Sequence, residues 1–320
     1  MFAHIFNTGG FGPVTIIGIA CVFFGVFFAM RKGLGFLPGD GGTDITGGAI
    51  SKGKPTGAGI IFIIAMDIAV LLFSKIHPEL FIYLILVSAE MITGFLDDKA
   101  TAEWGRKKKG LFDLAVCIAF AVTYLCFNPN TFRVAVSGYV VEFPVFIYAL
   151  FIIALGWASI NVTNCADGVD GLTGTLSLIT LTSMLAIMKG FDIDPAFRNA
   201  IVFLLVGLLV YLFFNAHPSK LMMGDAGSRS VGLFIAIAAV KMNHPFLYLL
   251  LAVVLIIDGG LGLIKIVLIK ATKNKSFMQG LRTPVHDHCR KVLNWSDTQV
   301  VIRFAAFQAV ICFGVVHYLL

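Results

Sequence analysis

Ten runs of apolar residues, most of them close to the length a helix needs to cross a lipid bilayer, divide this 320-residue chain and leave little room for any other architecture. A hydrocarbon core about 30 Å thick takes roughly 17 to 25 such residues per helix. The runs cover approximately residues 14–30, 57–73, 80–96, 111–127, 145–161, 172–188, 199–214, 230–241, 245–269 and 299–318. The eighth is short and the ninth long; the ninth holds Asp258, Gly259 and Gly260, and a glycine pair is a recognised kink site, so a bend is expected there. Composition agrees: 58% of residues are hydrophobic and 13% charged, far from a soluble domain. No basic, short-cored leader precedes the first run, which is therefore expected to be kept as a span. The expectation is an all-α integral membrane protein, residues 1–320 forming one polytopic domain.

Loops that alternate between the two sides carry unequal charge. Seventeen Lys and Arg residues fall on one side and five on the other, so the first side is expected to be cytoplasmic, with both termini outside. The net charge of +6 then follows from topology rather than from a nucleic-acid partner. Between runs four and five, TFRVAVSGYVVEF alternates polar and apolar residues around Ser137 and Gly138, which reads as a small external β-hairpin. The six cysteines are scattered without disulfide or zinc spacing and are expected to be free thiols.

The dense polar clusters all lie on the more basic side. They are SKGKPTGAG, GFLDDK, NVTNCADGVDGL, NAHPSKLMMGDAGS and RTPVHDHCRK, from five loops that can converge on one site. Asp97 and Asp98, as adjacent helical residues, point about 100° apart, so one can orient while the other acts; a solvated helix end is the plainer reading. Glu90 lies seven residues earlier on roughly the same face, deeper in the membrane, and Asp67 sits midway along the second run. Asn161 and Asn164, then Asp167 and Asp170, form pairs three apart that share a helical face. Asp225 between Gly224 and Gly227, with Ser228 after it, suits either a helix cap or a metal-bound phosphate at a helix N-terminus. His286, Asp287, His288 and Cys289 lack the second ligand pair that a structural zinc site needs, and the imidazoles fit phosphate or carboxylate contacts better. Carboxylates at 97, 98, 167, 170 and 225 crowded together repel one another and any anionic substrate unless a cation offsets them, and oxygen-liganded Mg²⁺ answers that need. With no Walker A loop, these features point to phosphoryl transfer between a soluble phosphoanhydride and a lipid phosphate.

At these residues the chain resembles the polyprenyl-phosphate N-acetylhexosamine-1-phosphate transferases. Within them it is most similar to the phospho-N-acetylmuramoyl-pentapeptide-transferase group, along nearly its whole length. GFLDDK is similar to the family's double-aspartate motif, NVTNCADGVDGL to its DGLDGL motif and NAHPSKLMMGDAGS to its NAHPAKVFMGDTGS motif. The resemblance implies Mg²⁺-dependent transfer of phospho-MurNAc-pentapeptide from UDP-MurNAc-pentapeptide to undecaprenyl phosphate. The setting it implies is the cytoplasmic face of a bacterial plasma membrane, in a homodimer. It implies that Asp225 binds the metal and that Asp97 or Asp98 takes a proton from the lipid phosphate or positions it. Asn164, Asp167 and Asp170 would line the uridine side, and Lys52, Asn215, His286 and His288 would contact the diphosphate or assist binding.

The sequence departs from the family pattern at four places: Asp287 stands between His286 and His288 where a third histidine is usual, the early KxGTPTMGG motif is shortened to SKGKPTGAG around Lys52, a family lysine appears as Thr101 with Lys99 nearer, and Ala115 and Val116 occupy the place of a lysine on the fourth run. A relative using UDP-N-acetylglucosamine is the nearest alternative. A secondary transporter is the alternative from another class, and it would need inverted repeats and mid-membrane ionisable residues.

Overall fold

The computed structural model describes residues 12–32, 34–41, 52–100, 102, 104–134, 139–191, 193–274 and 278–320. Its helices in chain order are α1 (Pro13–Lys32), α2 (Gly59–Phe73), α3 (Pro78–Asp98), α4 (Arg106–Phe127), α5 (Val145–Ala166), α6 (Leu172–Met188), α7 (Pro195–Asn215) and α8 (Gly224–Lys241). A broken pair follows, α9 (Pro245–Leu251) and α10 (Val253–Thr272), then α11 (Val285–Lys291) and α12 (Asp297–Leu319). Six of these are long and apolar enough to cross a membrane, or seven if the broken pair counts as one span; α2 and α6 are shorter apolar helices. The protein is an all-α multi-pass membrane protein. Strands β1 (Thr131–Arg133) and β2 (Val140–Glu142) pair antiparallel between α4 and α5, Thr131 opposite Glu142. The turn expected at Ser137 and Gly138 lies outside the described residues.

Helix α8 is the axis of the bundle, buried from Ala226 to Val240. It packs against α2, α3, α5 and α6. In lipid no hydrophobic gain separates helix from solvent, so association rests on close packing, which small residues allow. Three contacts use this: a Cβ at Gly59 would run into Gly227, one at Gly94 into the backbone of Asp225, and one at Gly232 into that of Ser159. Ser159 also donates its hydroxyl to the Gly232 carbonyl at 2.7 Å. At the end of α8 away from Asp225, Lys241 bonds both oxygens of Glu79 at 2.9 Å and the Asn128 side chain at 2.9 Å, tying α3 and α4 to it.

The bend of the ninth run falls elsewhere than expected. The break is at Ala252, where the axes of α9 and α10 diverge by 73°. Gly259 and Gly260 instead belong to a π-helical turn, Ile256–Gly260, whose extra residue leaves the helix continuous. Gly259 is held there by packing, because a Cβ would collide with the Val162 carbonyl of α5.

Candidate active site

The C-terminal ends of α3, α5 and α7 and the N-terminus of α8 border one cavity of about 960 Å³. Asp97, Asp98, Asn164, Asp167, Asp170, Asn215 and Asp225 all line it, so three separated sequence motifs meet.

The position of Asp225 follows from the way α8 begins. Gly224 has φ +65°, and a Cβ there would strike Asp98 Oδ2, the Gly57 amide and Thr56 Oγ1. No residue of α8 caps its own first turn. Asp98 does so from α3, accepting from the Asp225 amide at 3.0 Å and the Ala226 amide at 3.1 Å. These are orphan donors at the positive end of a helix, and a carboxylate satisfies both their hydrogen-bonding and their field. The Asp225 side chain is left free to face the cavity, where its Oδ1 accepts from Asn164 Nδ2 at 2.8 Å and its Oδ2 from Lys109 Nζ at 3.0 Å. Asn164 also donates to Ser228 Oγ at 3.0 Å.

Lys109 also pairs with Asp97 Oδ2, and Asp97 Oδ1 accepts from the Trp104 amide at 2.6 Å. This lysine stands in the first turn of α4 behind Arg106, Lys107 and Lys108, where four cations oppose the helix field. The other three are exposed. Lys109 alone turns inward, and its ammonium bridges the two acids.

A second cluster occupies the other end. Asp170 accepts from the Ser219 amide at 3.0 Å and hydroxyl at 2.7 Å, with Lys54 Nζ at 3.6 Å and His217 Nδ1 at 3.4 Å. Burial raises this carboxyl, but the Ser219 hydrogen bonds and then Lys54 outweigh it and hold it below its ordinary value. Asp297 joins the cluster, 2.7 Å from Arg290 Nε and 3.6 Å from His217 Nδ1. Lys54, His217, Arg290 and Asp297 all line the cavity. Lys54 arrives there because residues 38–40 and 53–56 pair back to back, Asp40 N donating to Lys54 O at 2.8 Å and Thr56 N to Pro38 O at 2.9 Å.

Several expected residues serve differently. Lys52 is exposed in a turn outside the cavity lining, and Lys54 takes the inward position. Asn215 is buried with both amide ends engaged, Oδ1 accepting from the Gly171 amide at 2.8 Å and Nδ2 donating to Leu221 O at 2.8 Å, so it pins two site loops together. His286 and His288 are not in the lining. The His286 ring and amide both bond Asp258, at 2.8 and 2.7 Å, locking α11 to the π turn, while His288 Nδ1 accepts from the Arg282 amide at 3.3 Å. Asp287 is buried and paired with Lys291 at 2.9 Å. Arg290, one turn beyond His286, is the α11 residue that reaches the cavity. Among the described residues no three His, Cys, Asp or Glu side chains form a metal cage.

The profile of glycosyl transferase family 4 matches residues 80–243, which hold Asp97 and Asp98, the Asn164–Asp170 stretch and Asp225. The phospho-N-acetylmuramoyl-pentapeptide-transferase of Treponema pallidum (strain Nichols) is 35% identical over 342 residues, covering 98% of this chain and 93% of its own. This chain belongs to glycosyl transferase family 4, among the phospho-N-acetylmuramoyl-pentapeptide-transferases. Relatives of the same name from Listeria welshimeri serovar 6b and Wolbachia sp. subsp. Brugia malayi are 32% identical over 79% of the chain and 28% identical over 84%, covering 80% and 85% of their own lengths. The Lys54, Arg290 and Asp297 cluster of this family 4 transferase lies outside the segment that the profile matches.

Burial pushes the Asp167 carboxyl up to about 7. An unfolded aspartate releases its proton near pH 4. The native state therefore holds the extra proton between about pH 4 and 7, and stability falls as pH rises through that window and levels above it. Thermal melts of detergent-purified protein across this range are expected to show that slope, and Asp167→Asn to flatten it; parallel curves for the two proteins would refute the assignment.

Proposed function

We propose that this chain transfers phospho-MurNAc-pentapeptide from UDP-MurNAc-pentapeptide to undecaprenyl phosphate, with Mg²⁺, giving lipid I and UMP. The names of its relatives support the reaction. The observation that carries it is the two-ended cavity, with Asp97, Asp98, Lys109 and Asp225 at one end and Lys54, His217 and Arg290 at the other.

Mg²⁺ fits the donor set. A hard cation that binds through one or two carboxylates plus phosphate oxygens and water requires no three-carboxylate cage. Asp225 offers such oxygens to the cavity, and Lys109 already spans Asp225 and Asp97, where the local charge calls for a cation. Mg²⁺ held by Asp225 would offset the charge of the diphosphate being broken.

The acceptor oxygen of the lipid phosphate forms a bond to the sugar-bearing phosphorus, and the bond from that phosphorus to the UMP oxygen breaks. Asp98 holds the first turn of α8 in place and so keeps the Asp225 side chain turned into the cavity. Asp97 or Asp98 orients the lipid phosphate. Lys54, His217 and Arg290 hold the phosphate that leaves with uridine, and Asp167 and Asp170 border the nucleoside, while Asn164, expected on that side, donates to Asp225 at the other end. The seventeen cations on the site's side support a reading in which it faces the cytoplasm of a bacterial plasma membrane, and the ten apolar runs support ten crossings with both termini outside. A homodimer rests on the family resemblance alone.

Purified protein is given undecaprenyl phosphate and either UDP-MurNAc-pentapeptide or UDP-N-acetylglucosamine, with and without Mg²⁺, and UMP release is measured. Turnover is expected with the first nucleotide and only with metal. Turnover confined to the N-acetylglucosamine nucleotide would remove this substrate assignment, and full turnover in chelator would remove the metal.

A further inference from the structure

One turn into α8 from Asp225 lies a buried charge cluster that the proposed reaction leaves unused. Arg229, whose side chain is 3% exposed, donates through Nη2 to Glu90 Oε2 of α3 at 2.9 Å and to Asp113 Oδ1 of α4. Asp113 Oδ2 accepts from Asn161 Nδ2 of α5 at 3.2 Å. Four helices thus each give one polar residue to a layer inside the bundle.

The same four helices build the layer above it, within the cavity. There α3 gives Asp97, α4 gives Lys109, α8 gives Asp225 and α5 gives Asn164. The spacing along each helix is whole turns, seven residues on α3, four on α4 and α8, and three on α5. The polarity is swapped between layers: α4 carries the cation and α8 the acid above, while α4 carries the acid and α8 the cation below. Helices α4 and α8 are therefore bonded to each other at both levels, and the lower grip fixes the rotation that brings Asp225 and Lys109 face to face.

Stability is a poor account of the lower layer. Ionisable groups inside a membrane segment are expensive, and replacing a buried ion triad by apolar residues is often neutral or stabilising. Arg229 Nη1 and Glu90 Oε1 also lack hydrogen-bond partners among the described residues, so the cluster is not optimised for energy. Buried ionic groups retained at such a cost are best known for setting register. We propose that Arg229 is a positioning residue for the transfer reaction, acting with Glu90 and Asp113 to set the rotation of α8 and hence the aim of Asp225. This rests on the transferase reading above.

The test uses the full-length protein in detergent. A triple variant, Glu90→Leu/Asp113→Leu/Arg229→Leu, removes the layer without leaving a lone buried charge, and Arg229→Lys keeps the charge but loses the two-acid fork. The triple is expected to melt at or above the wild-type temperature, yet to lose about tenfold in kcat with KM for the nucleotide little changed. Deuterium exchange at the Asp225 and Ala226 amides, which donate to Asp98, is expected to rise in both variants while α7 stays protected. Arg229→Lys should fall between wild type and triple in kcat. Wild-type kcat and wild-type exchange in either folded variant would overturn the proposal. If the wild-type protein itself releases no UMP from any UDP-sugar, the transferase reading fails, while the exchange comparison still decides whether Arg229 orients α8.

Discussion

Asp225→Ala protein is expected to fold and purify as wild type does, but to release UMP more than about a thousandfold more slowly. Alanine removes the one carboxylate that projects into the cavity from the first turn of α8, and with it the acceptor of both Asn164 and Lys109. The fold should survive because the loss creates no buried hole: Asp225 is half-buried at the cavity wall, and the start of α8 is secured by Asp98 through backbone amides that alanine keeps. Two readouts separate the possible roles. Loss of turnover at saturating Mg²⁺, with a weaker Mg²⁺-induced rise in melting temperature, is the signature of a metal ligand. Lost turnover with an unchanged Mg²⁺ response would assign Asp225 to substrate contact instead, and near-normal turnover would refute both.

The apolar runs announced the helices because lipid demands them, and the polar clusters announced the site because ionisable groups near a bilayer need a reason to be there. Where the reading of the chain fell short, the cause was three-dimensional. Arg229 and Lys109 look like loop charges, since the hydrophobic runs begin at Ser230 and Leu111. The helices begin earlier, at Gly224 and Arg106, because partners from neighbouring helices make charged turns tolerable. Lys52 and Lys54 are indistinguishable by type, and the pairing of residues 38–40 with 53–56 decides which faces inward. His286 stands out in the sequence within a dense polar cluster, yet its partner Asp258 is 28 residues away in a π turn that no local pattern reveals. Arg290 reaches the cavity only because that contact docks α11.

Lys109→Ala is the second substitution expected to have a large effect, and its consequences divide by metal. In the free protein the ammonium bridges Asp97 and Asp225, so its removal leaves two carboxylates facing each other across the cavity. Without Mg²⁺ the variant should melt below wild type, because breaking a partly buried pair strands the remaining charge. Added Mg²⁺ supplies a replacement cation, so the variant's melting temperature should rise more with metal than that of wild type. Activity follows a different course. In the proposed reaction the ammonium would stand beside the transferred phosphorus and stabilise charge that grows in the transition state, and loss of one such group typically costs about a hundredfold in kcat. Lys109→Ala is therefore expected to be restored in stability by Mg²⁺ but to remain roughly a hundredfold slow at saturating metal. Melting curves and UMP release across an Mg²⁺ titration check both halves. Full recovery of kcat at high Mg²⁺ would mean that the lysine merely holds the place of the metal and takes no part in transfer.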